Sequence, residues 1–245
     1  MSKSARTVLK VGGPDAHHFL QGLVTNDVDR LRDGLVYAAL LTPQGKYRAD
    51  FFLVPDGDAI LIDVATPLAD DLEWALSMYK LRSKVTLERT EVAVSRGTGA
   101  PPDGAFADPR DPRMGWRGYH GQSGDAADWD ALRVQAGVPE TGVELTPDSF
   151  ILEMAFERLN GVDFRKGCYV GQEVTARMKH KTELRKGLAQ VAVDGSAPVG
   201  TEITAEGKMA GTLFTQSGGA GLAYLRFDRA TGPMTAGSAK VIRQG

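Results

Sequence analysis

Residues 36–64 run "VYAALLTPQGKYRADFFLVPDGDAILIDV", three stretches rich in β-branched and aromatic residues separated by "PQGK" and "PDGD". Pro and Gly at those places are turn formers, so the pattern predicts an antiparallel meander. Upstream, in "GPDAHHFLQGLVTND", Phe19, Leu20 and Leu23 fall on one side at helical spacing, and Pro14 suits a first turn. Downstream, Thr66 and Pro67 are placed as N-cap and first residue of a helix whose Leu68, Leu72, Leu76 and Tyr79 form an apolar stripe. Two short strands are expected near residues 85–87 and 92–94. Helices against an antiparallel sheet indicate the α+β class.

From about residue 97 to 130 the periodicity disappears into Pro and Gly, around "FADPRDPRMGWRGYH". An ordered loop system is expected there, because Phe106, Met114, Trp116, Tyr119 and Trp129 are poor residues to leave in water. From Lys186 onward, short β runs ("LAQVAV", "TEITA", "MAGTLFTQ", "GLAYLRF", "AKVIR") alternate with Gly-bearing turns, the pattern of a small β-barrel. The chain is thus read as residues 1–185, an α+β region of two subdomains with a loop-rich crossing near 97–130, followed by a C-terminal barrel over 186–245. No internal repeat or low-complexity tail is visible.

The 245 residues are 42% hydrophobic, enough for a sizeable core, and the formal charge of −2 makes no global case for nucleic acid or membrane as a direct partner. "MSKSARTVLK" has no apolar stretch of signal-peptide length, and no segment approaches the roughly 20 apolar residues of a membrane span. A cytoplasmic location is the expectation. Charge is uneven, however. Residues 158–190 hold eight Lys/Arg against three Asp/Glu, a basic segment that suits an anionic ligand or is simply a solvated face.

That segment contains the single cysteine, Cys168, in "FRKGCYVGQEVTAR". One thiol excludes an intramolecular disulfide and cannot alone make an iron–sulfur or zinc site, so Cys168 works alone or with another molecule. Lys166, Arg165 and the start of a helix in "QEVTARM" favour the thiolate, while Glu173 opposes it if it faces the sulfur. Against this stands the packing role common for free cysteines. Glu173 and Arg177, four apart, also make an ordinary surface pair. His17 and His18 diverge by about 100° on a helix and do not chelate, and no metal site is expected.

"KGCYVGQE" with Arg177 resembles the motif of the YgfZ family of folate-binding proteins, relatives of the glycine-cleavage T-protein. "VGGPDAHHFLQGLVTNDV", "LLTPQGKYRADFFL", "FADPRDPRMGWR" and "GLAYLRFDRA" carry the resemblance over nearly the whole chain. It implies a ferredoxin-like folate-binding body in a T-protein-like ring with a C-terminal small β-barrel. It also implies tetrahydrofolate or a polyglutamylated folate as cofactor, and a role in assembling or repairing iron–sulfur clusters of client enzymes, including enzymes of tRNA modification. The residues so implicated are Cys168 and Asp50 for chemistry, and Asp50, Gln135, Glu153, Lys166, Tyr169, Gln172, Glu173 and Arg177 for the cofactor.

The T-protein resemblance offers a second reading, folate-dependent aminomethyl or one-carbon transfer. Two positions weigh against it. Where that enzyme is expected to carry paired aspartates, this chain has Ala49-Asp50, and its "LRVQAG" puts Gln135 where an acidic residue would grip the pterin. A carboxylate accepts from the pterin's adjacent N–H and NH₂ bidentately, and a glutamine does not. A third reading is a module that binds folate or a similar anion and makes no bond.

Overall fold

The computed structural model describes residues 5–181 and 183–244, with the side chain of Lys181 also outside the description. The first four residues of the N-terminal stretch read for a leader therefore lie outside the described residues. By contact density the chain forms two compact units, one of residues 1–127 and 157–176, the other of residues 128–156 and 177–245. This division interleaves the chain, unlike the consecutive spans 1–185 and 186–245.

The first unit is built on a five-stranded antiparallel sheet of β1 (Arg6–Gly12), β2 (Val36–Leu41), β3 (Tyr47–Asp56), β4 (Ala59–Ala65) and β5 (Thr86–Thr90), in the order β2-β3-β4-β1-β5. Strand alternation sends Ala38, Leu40, Phe51, Leu53, Ile62 and Val64 into one apolar core with residues of α1 (Ala16–Gln21) and α2 (Thr66–Lys80). The other face carries Tyr37, Asp50, Phe52 and Asp63. A bulge pairs Leu40 with Ala49 but Leu41 with Tyr47, leaving Arg48 as the extra residue. Freed from the ladder, Arg48 makes a bidentate pair with Asp71 of α2, at 2.6 and 2.8 Å.

The meander is as expected from its turns. Helix α2 begins one residue earlier than its cap pattern implied, with Ala65 as N-cap and Thr66 inside, its hydroxyl 3.0 Å from that of Thr7. Residues 92–94 form no strand; the chain instead pairs at β6 (Ser95–Gly97), β7 (Phe106–Ala107) and β8 (Trp116–Gly118) in a small antiparallel sheet. Met114, Trp116 and Tyr119 of this crossing are buried, which orders the Pro/Gly-rich segment.

The second unit is a closed barrel of β9 (Lys186–Asp194), β10 (Thr201–Ala205), β11 (Lys208–Ser217), β12 (Ala220–Arg226), β13 (Met234–Ala236) and β14 (Ala239–Arg243), in the order β10-β11-β12-β9-β14-β13. Inward residues such as Val191, Ile203, Leu213, Leu225 and Val241 fill it. Helix α3 (Trp129–Ala136) is capped by the Asp128 carboxylate and ended by left-handed Gly137. Its Arg133 is buried and pairs with buried Glu144, whose other oxygen takes the Thr215 hydroxyl at 2.6 Å. Helix α4 (Gln172–Lys181) follows the cysteine segment. Among the described residues no helix is long and apolar enough to cross a membrane, and no group of His, Cys, Asp and Glu could hold a metal ion.

Candidate functional site

Cys168 is exposed, in an irregular loop four residues before α4. Exposure removes the packing role weighed above. The loop is nevertheless held at both ends. On the N-terminal side, Thr25 donates its hydroxyl to the Gly161 carbonyl at 2.7 Å and accepts Asp163 N–H on its own carbonyl at 3.0 Å. Asn26 bridges the carbonyls of Tyr37 and Asn160, at 2.8 and 2.6 Å. The Asp163 carboxylate accepts from Arg165 N–H at 2.7 Å and from Arg30 at 2.6 Å. Burial works to raise its pKa, but those two donors outweigh it and hold the carboxyl below the usual range.

Lys166 completes this anchor. Its ammonium, buried, donates to the carbonyls of Gln21, Val24 and Asn26 at 2.8, 2.6 and 2.9 Å. Burial pulls its pKa down to about 8 against the opposing pull of Asp27 and Asp163. The three N–H donors of Lys166 are thus committed to main-chain carbonyls, which makes the residue an anchor of the loop and leaves only its charge, not its hydrogen bonds, for a thiolate or a folate tail. Arg165, beside it, is exposed.

On the C-terminal side, Gly171 and Gly45 both have positive φ, +81° and +76°, and the loop rests on the β2–β3 turn. Tyr169 is buried, its hydroxyl without a formed hydrogen bond although the Thr175 hydroxyl, bonded to the Gly171 carbonyl at 3.2 Å, is its nearest polar influence. Burial pushes the phenol up to about 12. Gln172 sits over the loop, its amide 3.4 Å from the Gly167 carbonyl, while Glu173 and Arg177 lie exposed on α4.

Asp50 faces the other side of the sheet and is buried, accepting from the Tyr37 hydroxyl at 2.9 Å and the Tyr47 hydroxyl at 2.6 Å. With one oxygen engaged by each phenol, it is built as a structural acceptor. Beside it lies a network that sequence reasoning missed. Asp63 accepts from Arg6 at 2.6 Å, Arg117 at 3.1 Å and Tyr119 at 2.8 Å, and Asp108 is held by Arg110 and Arg117. Burial works to raise Asp108, but the two guanidiniums prevail and keep its carboxyl low. Arg117 and Arg110 lie over the Phe52 ring at 3.8 and 4.8 Å, so the aromatic face that could seat a flat ligand is covered by the protein's own guanidiniums. The available signal was Asp63 itself, a charge in the middle of the apolar strand "AILIDVA".

In the second unit, Gln135 is exposed on α3, and its carbonyl accepts from Gln190 at 2.8 Å. Glu153 is 9% exposed. Its Oε2 accepts from the Tyr224 hydroxyl at 2.5 Å, its Oε1 has only the Lys186 ammonium, at 3.8 Å, and its carbonyl accepts from Leu188 N–H at 2.7 Å. Burial first, and the Glu153 carboxylate second, push the Tyr224 phenol well up. A cavity of about 300 Å³ adjoins Glu153, lined also by Met178, Glu183, Leu184, Arg185, Lys186 and Arg226. Of the predicted residues, the first unit thus contains Cys168, Lys166, Tyr169, Gln172, Glu173 and Asp50, and the second contains Gln135, Glu153 and Arg177.

Residues 185–243 match the family described as the C-terminal β-barrel domain of CAF17. The mouse iron–sulfur cluster assembly factor IBA57, mitochondrial, is 33% identical over 278 aligned residues that cover 94% of this chain and 78% of that protein. The human protein of the same name matches to the same extent. The crystal structure of the glycine cleavage system aminomethyltransferase T from Bartonella henselae superposes with a TM-score of 0.74 over 98% of this chain and 82% of that one, at 13% identity, which shows the T-protein fold alone.

Two expectations change. The relatives carry the name IBA57, so the expected YgfZ membership narrows to a related branch with the same fold. The cytoplasmic location is corrected as well: the mouse, human and Mycosarcoma maydis relatives are all named mitochondrial, which points to mitochondria and away from the cytoplasm. With a third of residues identical across nearly its entire length, a matching barrel and a shared fold, the chain belongs to the IBA57 family.

Proposed function

We propose that this protein serves iron–sulfur cluster assembly as a tetrahydrofolate-binding accessory factor, presenting the Cys168 thiol to a cluster, a sulfur species or a client enzyme. The observation that carries the reading is an exposed thiol on a loop anchored at both ends. A reactive group that must meet a second macromolecule has to be accessible, and its loop has to be stiff enough not to lose the encounter to conformational entropy. The names of the relatives support the same role. Clients extend, on this reading, to radical enzymes that modify tRNA.

Tetrahydrofolate requires an acceptor for its adjacent pterin N–H and NH₂ groups. Asp50 has both oxygens bonded to tyrosines on the sheet face that Arg110 and Arg117 cover, and Gln135 offers an amide. Glu153 keeps Oε1 without a hydrogen bond at the wall of a cavity, so the acceptor that the pterin N–H groups need is available at that residue. When bound, the folate would supply a one-carbon or redox-sensitive centre; the residues of this chain would hold and orient it. Aminomethyl transfer finds no support beyond the fold.

The test is complementation of cells lacking the protein, scored by the activity of iron–sulfur enzymes, together with calorimetry using tetrahydrofolate and its polyglutamate form. Cys168→Ala is expected to abolish rescue while folding normally. Full rescue by Cys168→Ala would return the thiol to a passive role, and absence of binding at near-millimolar folate would remove the cofactor.

A further inference from the structure

We infer that the cavity beside Glu153 is the seat of the flat 2-amino-4-oxopyrimidine head of the folate, so that in this chain Glu153, and not residue 135, is the pterin anchor. The inference rests on the folate-binding reading above and names the site for it.

Four observations converge. First, Glu153 cannot swing away: Tyr224 holds Oε2 at 2.5 Å, Leu188 N–H holds its carbonyl at 2.7 Å, and Gly187 lies so close that a Cβ there would meet the Glu153 carbonyl oxygen at 2.9 Å. The absence of a side chain at position 187 lets barrel and carboxylate approach. Second, Oε1 has no hydrogen bond among the described residues, and its nearest cation is 3.8 Å away. Oε1 is not sealed away from water, since the buried side-chain atoms without a partner among the described residues are Arg133 Nε and Tyr169 Oη, and it borders the cavity. One oxygen is thus anchored, and the other is open to a donor brought by a ligand.

Third, the cavity, at about 300 Å³, has the size of a small-molecule site, and Met178 and Leu184 give it an apolar wall for a flat ring. Fourth, its rim is cationic: Arg185 has no ion pair among the described residues, Lys186 stands over the Tyr224 ring at 5.4 Å, and Arg226 reaches Asp228 only at 3.5 Å. A ligand with adjacent N–H donors on a flat head, one for Oε1 and one for the second lone pair of Oε2, and carboxylates on its tail satisfies all four, and a simple anion satisfies only the last. Glu183, also on the rim, disfavours a small anion alone.

The experiment is calorimetry of the full-length protein with 5-formyltetrahydrofolate, with 6-hydroxymethylpterin and with p-aminobenzoylglutamate. Glu153→Gln should weaken the first two by about tenfold or more and leave the third unchanged, as expected for a charge-assisted bond to the head alone. Because Glu153 also holds Tyr224, a second variant is needed: Met178→Trp fills the cavity without touching that bond and should likewise block the head. Circular dichroism confirms that both variants are folded. Unchanged head binding in folded Glu153→Gln and Met178→Trp would overturn the subsite and leave the folate reading intact. A gain of about tenfold in Gln135→Glu would also overturn it, by placing the anchor at residue 135. No binding of any reduced folate by the wild type would overturn both.

Discussion

Gly45 and Gly171 meet with no room for a side chain between them: a Cβ on Gly171 would lie 3.1 Å from Gly45 Cα and 2.7 Å from the Thr42 carbonyl oxygen, and one on Gly45 would lie 2.7 Å from Val174 Cβ. Through this contact the turn "PQGK" and the motif "GCYVGQE", far apart in sequence, become a single piece of surface. Gly171→Ala combines a left-handed φ with a main-chain clash, so it should cost about 1–3 kcal/mol and loosen the thiol loop. Urea unfolding measures the first effect, and faster hydrogen exchange across residues 165–172 than in the wild type measures the second.

Cys168→Ser should change stability by no more than about 0.5 kcal/mol, because the thiol is exposed and supports no packing. Native iodoacetamide labelling should go to completion without denaturant. A large loss of stability in the serine variant, or a thiol labelled only after unfolding, would contradict the exposed placement.

Removing Asp63 should be far more damaging than removing the cysteine. Asp63→Ala leaves the Tyr119 hydroxyl without its acceptor, leaves the buried guanidinium of Arg117 with Asp108 alone, and takes the main partner from Arg6, a loss of about 3–5 kcal/mol. Thermal and denaturant unfolding would show it, with Asp58→Ala, an exposed change on the β3–β4 turn, as the mild comparison.

Lys166 gives a pH signature. Its folded-state pKa, about 8, lies below the 10.5 of an unperturbed lysine, so between these values the unfolded chain binds more protons than the native one. Stability from this residue therefore rises as pH climbs from about 8 toward 10.5, and is lost again as pH falls through 8. Urea midpoints taken at intervals across that window should rise for the wild type relative to Lys166→Met. Parallel curves would show that the ammonium is not held as described.

Glycine-cleavage activity should be absent in an assay with the other components of that system and tetrahydrofolate. Asp50, the one acidic residue of the expected pair, is locked by Tyr37 and Tyr47 under the arginine-covered face. Turnover near that of an authentic T-protein would restore the transferase reading.

What could be read from the chain alone was what local chemistry decides. The meander follows from turn residues and two-residue alternation, and the barrel from short strands between glycines; both depend on neighbours a few positions apart. Residues 92–94 misled because the β-branched pair Val92 and Val94 does not make a strand without a partner edge. The fates of Lys166 and Asp50 were hidden for a different reason. Lys166 finds its acceptors about 140 residues upstream, and the arginines that cover the sheet beside Asp50 come from the crossing loop, so no spacing rule links them. Tyr224 was likewise invisible as the partner of Glu153, since 71 residues separate them.

The anchoring of the cysteine loop also sets an order of events during synthesis. The first unit is discontinuous: residues 157–176 complete what residues 1–127 begin. Until that late segment leaves the ribosome, the carbonyls of Gln21, Val24 and Asn26 lack the Lys166 ammonium, Thr25 and Asn26 lack their partners at Gly161 and Asn160, and the β2–β3 turn lacks its cover. Closing so long a chain segment is entropically slow, and a nascent sheet waiting with open polar groups is exposed to mispairing and to chaperones. The thiol therefore reaches its presented geometry only when the amino-terminal unit is sealed, which makes its native setting a mark of a chain that has finished folding there.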